Sequence, residues 1–523
     1  VVLIAFLCFF SKVGAQTNPI PVWLDKEFVG NIDTKSSSVV CDKDKNTWMI
    51  TTQTDEGIGL DFTLKKLDSL GTVLWKHHAG EYNIAYWDIL WGGFDVDVDG
   101  NAYVTFSPGD GWPGFKFDSH VLKFSPKGDL LFDVTHGLEY PYANIISFLK
   151  TDQQGEIYVA GRVGSNNLFV ARLDGQDGST VWKKTFPGSY GIEKLAILKD
   201  TIIEVFSQKS EQGASVYNIL RMNTGGDVLS NVSRPYDSSN LWPPDFNHIC
   251  ENGDVLIGTR SWGYTVTRVN PVGDTVFLYQ HPNKFNKDRA LGLIEDEAQN
   301  SYTTGDVREY TVESARSLTI KFSPTGQILW KSYFPTDTAN TVWAGADWVD
   351  VDDKYVYIAG YSKEAQGSFN VLLLIYDQVT GEEKYRISLS SDILSAADMI
   401  VPLKDGFVFT GVSHFDTVNT TSILTGRYKF VKSTGTHEDA SVDNLRIFPN
   451  PTSEKFQICL PNFEPSKPLS VSLKNQLGQT LLSKAITTNC QTLDVSNLPN
   501  GAVFIEIRER GAMKAIGKAI ILH

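Results

Sequence analysis

Aromatic and arginine side chains are concentrated in the long segments that separate the short, strand-like runs of this 523-residue chain. Aromatic faces beside planar cationic donors suit sugar rings or peptide side chains, because they offer apolar area at low entropic cost together with oriented hydrogen bonds. These segments predict a ligand-binding surface, although several of the rings could instead pack between structural elements. The candidate ligand-binding residues are Tyr86, Trp87, Trp112, Tyr142, Trp242, Trp262, Tyr264, Trp343, Arg260 and Arg308.

Three aspartates, Asp95, Asp97 and Asp99, alternate immediately before Gly100. Alternate carboxylates can converge on one hard cation, so this is the spacing of a calcium loop. The last position of such a loop is Phe106 here rather than Glu, and Asp-Gly is also a favoured pair in a hairpin turn. The run favours a turn, with a weak calcium site as the alternative, and no other cofactor is expected.

The sequence carries no motif of a familiar catalytic site. It contains no HExxH, GxSxG or GxxxxGK[ST] pattern, which are the signatures of zinc hydrolases, serine hydrolases and phosphate-binding loops. His77 and His78 are adjacent, but neighbours on a strand point to opposite faces and would not share a metal. An enzyme would have to take its acid and its base from different parts of the chain, so the sequence leaves open whether the protein is an enzyme.

The elements that must position these side chains repeat along the chain. A glycine recurs at intervals of 47 to 57 residues, usually followed four residues later by a bulky side chain. Strand signals at a period of about 50 residues predict a propeller or a related solenoid. Trp75, Trp182 and Trp330 occupy the bulky position in register and are expected to pack between repeats. The glycines are Gly71, Gly128, Gly178, Gly226, Gly273, Gly326, Gly381 and Gly435.

Each repeat contains two strand pairs, so we expect four antiparallel strands, which make one propeller blade. The predicted fold class is all-β: an eight-bladed, alternatively seven-bladed, β-propeller over residues 16–435, followed by a small C-terminal β-sandwich. The last repeat lacks a fourth strand, and the N-terminal run Pro21–Phe28 could pair with it and leave no open edge. In such a ring, the connections between second and third strands and those between blades emerge on one side, the long-loop face, which carries the aromatic and arginine candidates.

The chain starts with the ten-residue apolar run Val1–Phe10, and small residues end at Ala15. This pattern predicts a signal peptide over residues 1–15 whose n-region is missing. The run is too short to span a bilayer, which takes about 20 residues. We therefore expect export and no transmembrane segment.

Residues 443–523 follow a linker at 436–442 and have a different sequence pattern, in which short runs of alternating apolar and polar residues are separated by turn residues. This spacing is typical of a small β-sandwich. The segment resembles the type A C-terminal sorting domain of the type IX secretion system, which implies the outer-membrane secretion machinery as a partner. It also implies a protein that is secreted or attached to the outer cell surface of a Gram-negative bacterium. The residues that carry the resemblance are Phe448, Pro449, Asn450, Pro451, Gly478, Leu498 and Gly501.

The repeats resemble the quinoprotein-like and NHL-like propellers through Asp99–Val104 and Gly178–Phe186, which supports the fold more than any activity. Quinone-dependent members of this fold usually have adjacent cysteines, and this chain has none. Cys459 and Cys490 lie in the small C-terminal domain and could form a disulfide, since exported domains tolerate them. Two free thiols are the alternative.

The composition limits the function classes. An apolar fraction of 41% and an aromatic fraction of 12% exclude a disordered chain, and the net charge of −14 argues against nucleic-acid or anionic-membrane binding. The sequence favours an exported protein that binds a glycan or protein ligand through the long-loop face. The alternatives are a secreted polysaccharide hydrolase or lyase with its site at the channel mouth, and a structural surface protein.

Overall fold

The computed structural model describes most of the chain as strands and the turns between them. Its described residues are 17–30, 37–54, 60–79, 93–106, 119–136, 144–164, 167–188, 190–211, 214–235, 246–258, 263–282, 288–308, 314–335, 341–364, 369–389, 394–415, 420–432, 446–448, 452–459, 469–475, 479–509 and 512–521. These residues contain no helix, so the predicted all-β class is confirmed. They belong to two compact units, residues 24–426 and the flanking residues at both ends.

The strands up to residue 432 form antiparallel groups of four. Their bounds, in chain order, are β1 (Thr17–Gly30); β2 (Ser37–Cys41), β3 (Thr47–Thr54), β4 (Leu60–Leu67), β5 (Val73–His78); β6 (Phe94–Val96), β7 (Ala102–Phe106), β8 (Ser119–Phe124), β9 (Leu130–His136); β10 (Asn144–Thr151), β11 (Ile157–Val163), β12 (Asn167–Leu173), β13 (Thr180–Phe186); β14 (Tyr190–Leu198), β15 (Ile202–Glu211), β16 (Ala214–Asn223), β17 (Val228–Pro235); β18 (Phe246–Ile249), β19 (Val255–Gly258), β20 (Thr265–Val269), β21 (Thr275–Gln280); β22 (Arg289–Glu295), β23 (Ser301–Arg308), β24 (Ala315–Phe322), β25 (Ile328–Phe334); β26 (Thr341–Val351), β27 (Tyr355–Glu364), β28 (Phe369–Asp377), β29 (Glu383–Leu389); and β30 (Leu394–Leu403), β31 (Gly406–Phe415), β32 (Thr420–Lys432).

Within each group, strands that follow one another in the chain are paired. The groups β22–β25 and β26–β29 are joined into one sheet by a parallel bridge between Ala315 and Trp343. The repeat around Gly226, which lacks a bulky partner, still forms a complete group, β14–β17. In the last group, β1 lies at the edge beside β32, which is the pairing that the sequence suggested for the N-terminal strand.

The hydrophobic core of this region lies between successive groups. From β2–β5 through β26–β29, each group shares a cluster of buried apolar side chains with the next one. The first strands of the groups also contact one another in turn, in the order β2, β6, β10, β14, β18, β22, β26 and β30, and β30 contacts β2. Alternation along each strand explains this packing, because successive side chains point to opposite sheet faces and so reach both neighbours.

The repeated glycine lies in the turn between the third and fourth strands, and at five positions a Cβ there would meet an aromatic ring of the preceding group: Gly128, Gly178, Gly226, Gly326 and Gly381. Gly273 instead lies against Val232 and Arg234, and Gly435 lies outside the described residues. Gly128 and Gly381 have φ angles of +91° and +69°, which residues with a side chain rarely adopt. A Cβ at Gly128 would lie 2.6 Å from the Trp75 ring, and one at Gly381 would lie 2.5 Å from the Trp330 ring. The Trp330 indole N–H donates to a carbonyl oxygen in the same turn, at Gln378, over 3.1 Å. The expected packing of the recurrent tryptophans between repeats is therefore confirmed.

Buried basic side chains also connect the groups. The Arg268 guanidinium, 1% exposed, bonds Asp254 in its own group at 2.6 Å and Glu295 in the next group at 2.6 Å. It also donates to the Gln299 carbonyl oxygen and to Ser301 Oγ. The same position in the third strand of the first six groups is always basic: Lys66, Lys123, Arg172, Arg221, Arg268 and Lys321.

The C-terminal strands form two further antiparallel sheets, ordered β33-β34-β37 and β36-β35-β38-β39. Both sheets contribute to one hydrophobic cluster, with Phe456 and Leu493 from one and Val471 and Ile505 from the other. The disulfide considered from the sequence is present, and it joins opposite residues of neighbouring strands, Cys459 and Cys490. The strand bounds are β33 (Arg446–Phe448), β34 (Lys455–Cys459), β35 (Leu469–Lys474), β36 (Thr480–Ile486), β37 (Cys490–Asp494), β38 (Gly501–Glu509) and β39 (Ala512–Ile521).

Candidate functional site

Three of the ten candidate ligand-binding residues lie in the described part of the chain: Tyr264, Arg308 and Trp343. All three lie at strand ends on the long-loop side of their groups, where second strands end and first and third strands begin. The other seven lie outside the described residues and remain predictions: Tyr86, Trp87, Trp112, Tyr142, Trp242, Trp262 and Arg260.

Tyr264 does not fit the predicted binding role. Its side chain is fully buried in the cluster shared by the groups β18–β21 and β22–β25. Its hydroxyl donates to the Leu318 carbonyl oxygen over 3.1 Å and lies 3.2 Å from Thr303 Oγ1, and burial raises its pKa well above the usual value. Tyr264 follows a loop-like stretch but immediately precedes β20, the third strand of its group. It packs between groups, which is the alternative that the sequence left open for these rings.

Arg308 and Trp343 are brought together. The Arg308 guanidinium lies 4.8 Å from the centroid of the Trp343 ring, and both side chains are half-buried. Their strands, β23 and β26, belong to neighbouring groups, and the Arg308 backbone N–H donates to Asp288 Oδ1 over 2.8 Å. A cation over an indole face is favourable when it is partly desolvated, so this pair forms a patch with one apolar and one hydrogen-bonding component.

A polar cluster lies next to this pair. Arg289 and Asp306 are opposite each other on β22 and β23, and the Arg289 guanidinium bonds Asp306 Oδ1 at 2.8 Å. Burial raises the Asp306 pKa although Arg289 and Arg308 oppose the shift. The Tyr361 hydroxyl lies 3.5 Å from Arg289 Nη2, and burial with the charges of Asp306 and Asp347 raises its pKa to about 12. A buried carboxyl, a guanidinium and a phenol can together donate and accept several hydrogen bonds to a polar ligand.

The sequence contains a signal for part of this cluster that the spacing of the turn glycines does not reveal. Asp306 and Tyr361 each follow the glycine of a Tyr-x-x-Gly pattern in a second strand, at Tyr302–Gly305 and Tyr357–Gly360. A Cβ at Gly305 would collide with the Arg289 carbonyl oxygen of the paired first strand, so glycine is required for this close approach. The residues after these glycines, Asp306 and Tyr361, therefore occupy equivalent positions in the second strands of their groups.

The three aspartates of the alternative calcium site, Asp95, Asp97 and Asp99, have separate surroundings in the structure. Asp95 is bound by Lys150 Nζ at 3.0 Å and by the Thr151 N–H and hydroxyl. Asp97 accepts hydrogen bonds from the backbone of its own turn and from the Tyr103 hydroxyl at 2.8 Å, while Asp99 is exposed. In the part of the chain that the structure describes, no three His, Cys, Asp or Glu side chains come together as metal ligands. The hydrogen bonds of Asp97 within its own turn support the turn interpretation, and calcium binding stays a prediction.

Asp350 lies on β26, the first strand of its group, and its titration should make the stability of the protein depend on pH. Burial raises its pKa to about 7, opposed by the Val351 N–H and assisted by Asp352. The folded state then holds a proton that the unfolded state, with a pKa of about 3.9, releases. We therefore expect this group to reduce stability progressively as the pH rises from about 4 towards 7.

The measurement is the urea midpoint of unfolding at several pH values between 5 and 8, for the wild type and Asp350→Asn. The variant should show a flatter decline with pH. Asp377→Asn is the control, because hydrogen bonds from Thr380 lower the Asp377 pKa and its titration falls below this window. Equal slopes in the wild type and Asp350→Asn would contradict the assignment.

The sorting motif is partly described. Phe448 ends β33, Gly501 begins β38, and Leu498 packs against the C-terminal hydrophobic cluster. Pro449, Asn450, Pro451 and Gly478 lie outside the described residues. Immediately after the motif, Thr452 pairs with the end of the last strand, where its N–H donates to the Ile520 carbonyl oxygen over 2.9 Å.

Residues 446–522 match the family described as the secretion system C-terminal sorting domain, which is the sorting domain of the type IX system. This confirms the resemblance seen in the sequence, and the outer-membrane secretion machinery is the partner that the domain implies. The protein is secreted or attached to the outer cell surface of a Gram-negative bacterium. The described residues include no helix with the length and hydrophobicity that a membrane crossing requires.

No curated protein matches the chain, whereas several solved structures do. PorZ, a surface component of the type IX secretion system of Porphyromonas gingivalis, is similar at 11% identity over 93% of this chain and 59% of that chain, with a TM-score of 0.34. This chain therefore spans less than two thirds of the length of PorZ. The polysaccharide lyase Uly1 is similar at 9% identity over 66% and 92%, with a TM-score of 0.39. The β-propeller domain of the Trilobed protease from Pyrococcus furiosus is similar at 11% identity over 68% and 99%, with a TM-score of 0.37.

Proposed function

We propose that this exported protein, which carries a type IX sorting domain at residues 446–522, binds a glycan through its long-loop face. The observation that carries the proposal is the Arg308–Trp343 patch beside Arg289, Asp306 and Tyr361. Sugar rings present apolar C–H faces that pack on an indole, and their hydroxyl groups need donors and acceptors in fixed positions. Arg308 Nε is buried and has no hydrogen-bond partner among the described residues. Buried donors normally have a partner, and a ligand hydroxyl can supply one here.

We further propose that the groups of four strands are the eight blades of one closed propeller and that the C-terminal sheets form a sandwich. Support comes from the contacts between successive first strands, which return from β30 to β2, and from the edge position of β1 beside β32. The sandwich is supported by the cluster that both C-terminal sheets share. A crystal structure with seven blades, or with β1 away from β32, would contradict this arrangement.

The binding test is a glycan and polysaccharide array probed with the full chain, followed by titration of each hit with variants. Trp343→Ala and Arg308→Ala should each weaken binding about tenfold or more, because truncating a central aromatic or arginine contact typically costs at least that much. Unchanged melting temperatures would show that the variants fold.

Arg386→Ala is the matched control for this test. Its guanidinium also lies over an aromatic ring, 4.5 Å from the centroid of Phe334, but it belongs to the outer strand β29 and pairs with Glu383. Binding should be unchanged in this variant. Equal losses in Arg308→Ala and Arg386→Ala, or full binding by Trp343→Ala, would reject the patch as the binding site. If the protein binds no glycan or polysaccharide on the array, a protein ligand or a structural surface role would be favoured.

A second candidate function is a polysaccharide hydrolase or lyase with its site at the channel mouth. The convergence of Asp306, Arg289 and Tyr361 favours it, because an enzyme of this kind needs buried carboxyl, phenol or guanidinium groups in one place. Mass analysis of the products on each array hit separates the two functions. Cleavage that is lost in Tyr361→Phe or Asp306→Asn while binding persists would identify an enzyme, and unchanged sugar would support binding alone.

A further inference from the structure

Three guanidinium groups lie over aromatic rings in the part of the chain that the structure describes. Arg308 and Arg316 are each 4.8 Å from the centroid of their ring, and Arg386 is 4.5 Å from the centroid of its ring. Because the ring covers one face of each guanidinium, its N–H donors remain available along the edge, in the plane of the group. The edge of an arginine fits a carboxylate through two parallel hydrogen bonds.

Two of these three edges have protein partners. Arg386 Nε and Nη2 donate to the two carboxylate oxygens of Glu383 over 2.9 and 3.0 Å, and Arg316 Nε donates to the Pro335 carbonyl oxygen over 2.9 Å. Arg308 differs, because its Nε is buried and has no hydrogen-bond partner among the described residues. A buried donor without an acceptor is costly, so an acceptor supplied by a ligand would stabilise this edge.

The carboxylates around Arg308 have other partners. Asp288 Oδ1 accepts the backbone N–H of Arg308 over 2.8 Å, and Asp306 Oδ1 accepts a hydrogen bond from Arg289 Nε over 2.8 Å. Within the described ranges, the Arg308 guanidinium itself takes part in no ion pair, whereas Arg289 is paired with Asp306. Arg308 is therefore the cation of the patch that an anionic group of a ligand can pair with directly.

We propose that the glycan ligand is acidic and that its carboxylate or sulfate ester binds the edge of the Arg308 guanidinium, while its sugar ring contacts Trp343. This inference rests on the glycan-binding function proposed above and adds the chemical class of the ligand. A sugar hydroxyl satisfies one donor of the edge, whereas an oxyanion accepts from Nε and an Nη together, as Glu383 does at Arg386. The net charge of −14 gives the protein no general attraction for anions, so selectivity for an acidic sugar has to come from this local contact.

The glycan array separates an acidic ligand from a neutral one. Probed with the full chain, it should give hits mainly among glycans that carry uronic acids or sulfate esters. If all hits are neutral and Trp343→Ala still weakens them, this inference is overturned while the proposed function stands. Binding to none of the glycans would reject the proposed function and this inference with it.

Chemical removal of the ligand charge identifies the source of the oxyanion. Isothermal titration compares an oligogalacturonide with its carboxyl-reduced form, and a κ-carrageenan oligosaccharide with its desulfated form. Loss of the bound group should weaken binding to the wild type by about tenfold to a hundredfold, because a charge-assisted hydrogen-bonded contact is lost. A loss on carboxyl reduction assigns a uronate, and a loss on desulfation assigns a sulfate ester. Equal affinities within both pairs would contradict the proposal.

A thermodynamic cycle between the ligand charge and Arg308 tests whether this residue holds the oxyanion. Arg308→Met should weaken binding of the charged oligosaccharide as much as removal of the ligand charge does. It should leave the affinity for the uncharged form within about threefold, because the two changes remove the same contact. Arg308→Lys should recover only part of the loss, since an ammonium keeps the charge but lacks the planar pair of donors.

Arg386→Ala is the matched control for the general loss of a positive charge, and it should leave the preference for the charged form unchanged. If the losses caused by Arg308→Met and by removal of the ligand charge are additive, Arg308 does not hold the oxyanion. Melting temperatures check that the variants fold. Should Arg308→Met fail to fold, the comparison of charged and uncharged ligands on the wild type still decides whether the ligand is acidic, and Arg308→Lys decides whether the guanidinium holds it.

Discussion

Replacing Arg268 by methionine is expected to lower the free energy of unfolding by about 3–5 kcal/mol, the usual cost of removing one partner from a buried ion pair. Arg268 is almost fully buried, and its loss would leave Asp254 and Glu295 as buried carboxylates without their cation. The Gln299 carbonyl oxygen and Ser301 Oγ would each lose a donor as well. Because these partners lie in two successive groups, the loss should weaken the contact between the groups.

The measurement is urea unfolding of the full chain followed by tryptophan fluorescence. Arg268→Lys should recover only part of the stability, because a lysine keeps the charge but lacks the planar set of donors that reaches four acceptors. Arg386→Met is the control, since the side chain of Arg386 is 47% exposed and exposed ion pairs contribute about 1 kcal/mol or less. A loss in Arg268→Met as small as that of the control would refute the structural role of Arg268.

Gly381→Ala is expected to destabilise the protein by about 1–3 kcal/mol more than Gly155→Ala. Both glycines have positive φ angles, +69° and +78°, so both variants carry the same backbone cost, about 1–2 kcal/mol. The two sites differ in the room available for the new Cβ. At Gly381 it would be 2.5 Å from the Trp330 ring, whereas at Gly155 it would be 4.0 Å from its nearest neighbour, Asp97 Oδ2. The additional loss at Gly381 is the overpacking of a rigid ring.

The same urea measurement decides this prediction, and a double variant sharpens it. Combining Gly381→Ala with Trp330→Leu should cost less than the sum of the two single losses, because the smaller side chain relieves the collision. Equal losses at Gly381 and Gly155, or strict additivity in the double variant, would mean that the ring does not restrict this turn.

Local patterns in the sequence predicted much of the fold. The recurrent glycine predicted the repeats, because the turn needs a residue free of a Cβ and this requirement recurs in the seven groups from β2–β5 to β26–β29. Alternation predicted the strands, and Phe448, Leu498 and Gly501 helped to identify the sorting domain from the sequence alone. These features depend on turn geometry and side-chain spacing within one segment, which a linear sequence displays directly.

Only the tertiary structure decided which side chains meet. Tyr264 looked like a surface ring from its neighbours in the chain, but it lies just before β20 and packs in the core between two groups. Arg289, Asp306 and Tyr361 come from three different strands, and Arg268 bonds residues up to 33 positions away. The distance between such groups is set by how successive sheets stack and by where each strand pair shifts its register, neither of which leaves a periodic mark in the sequence.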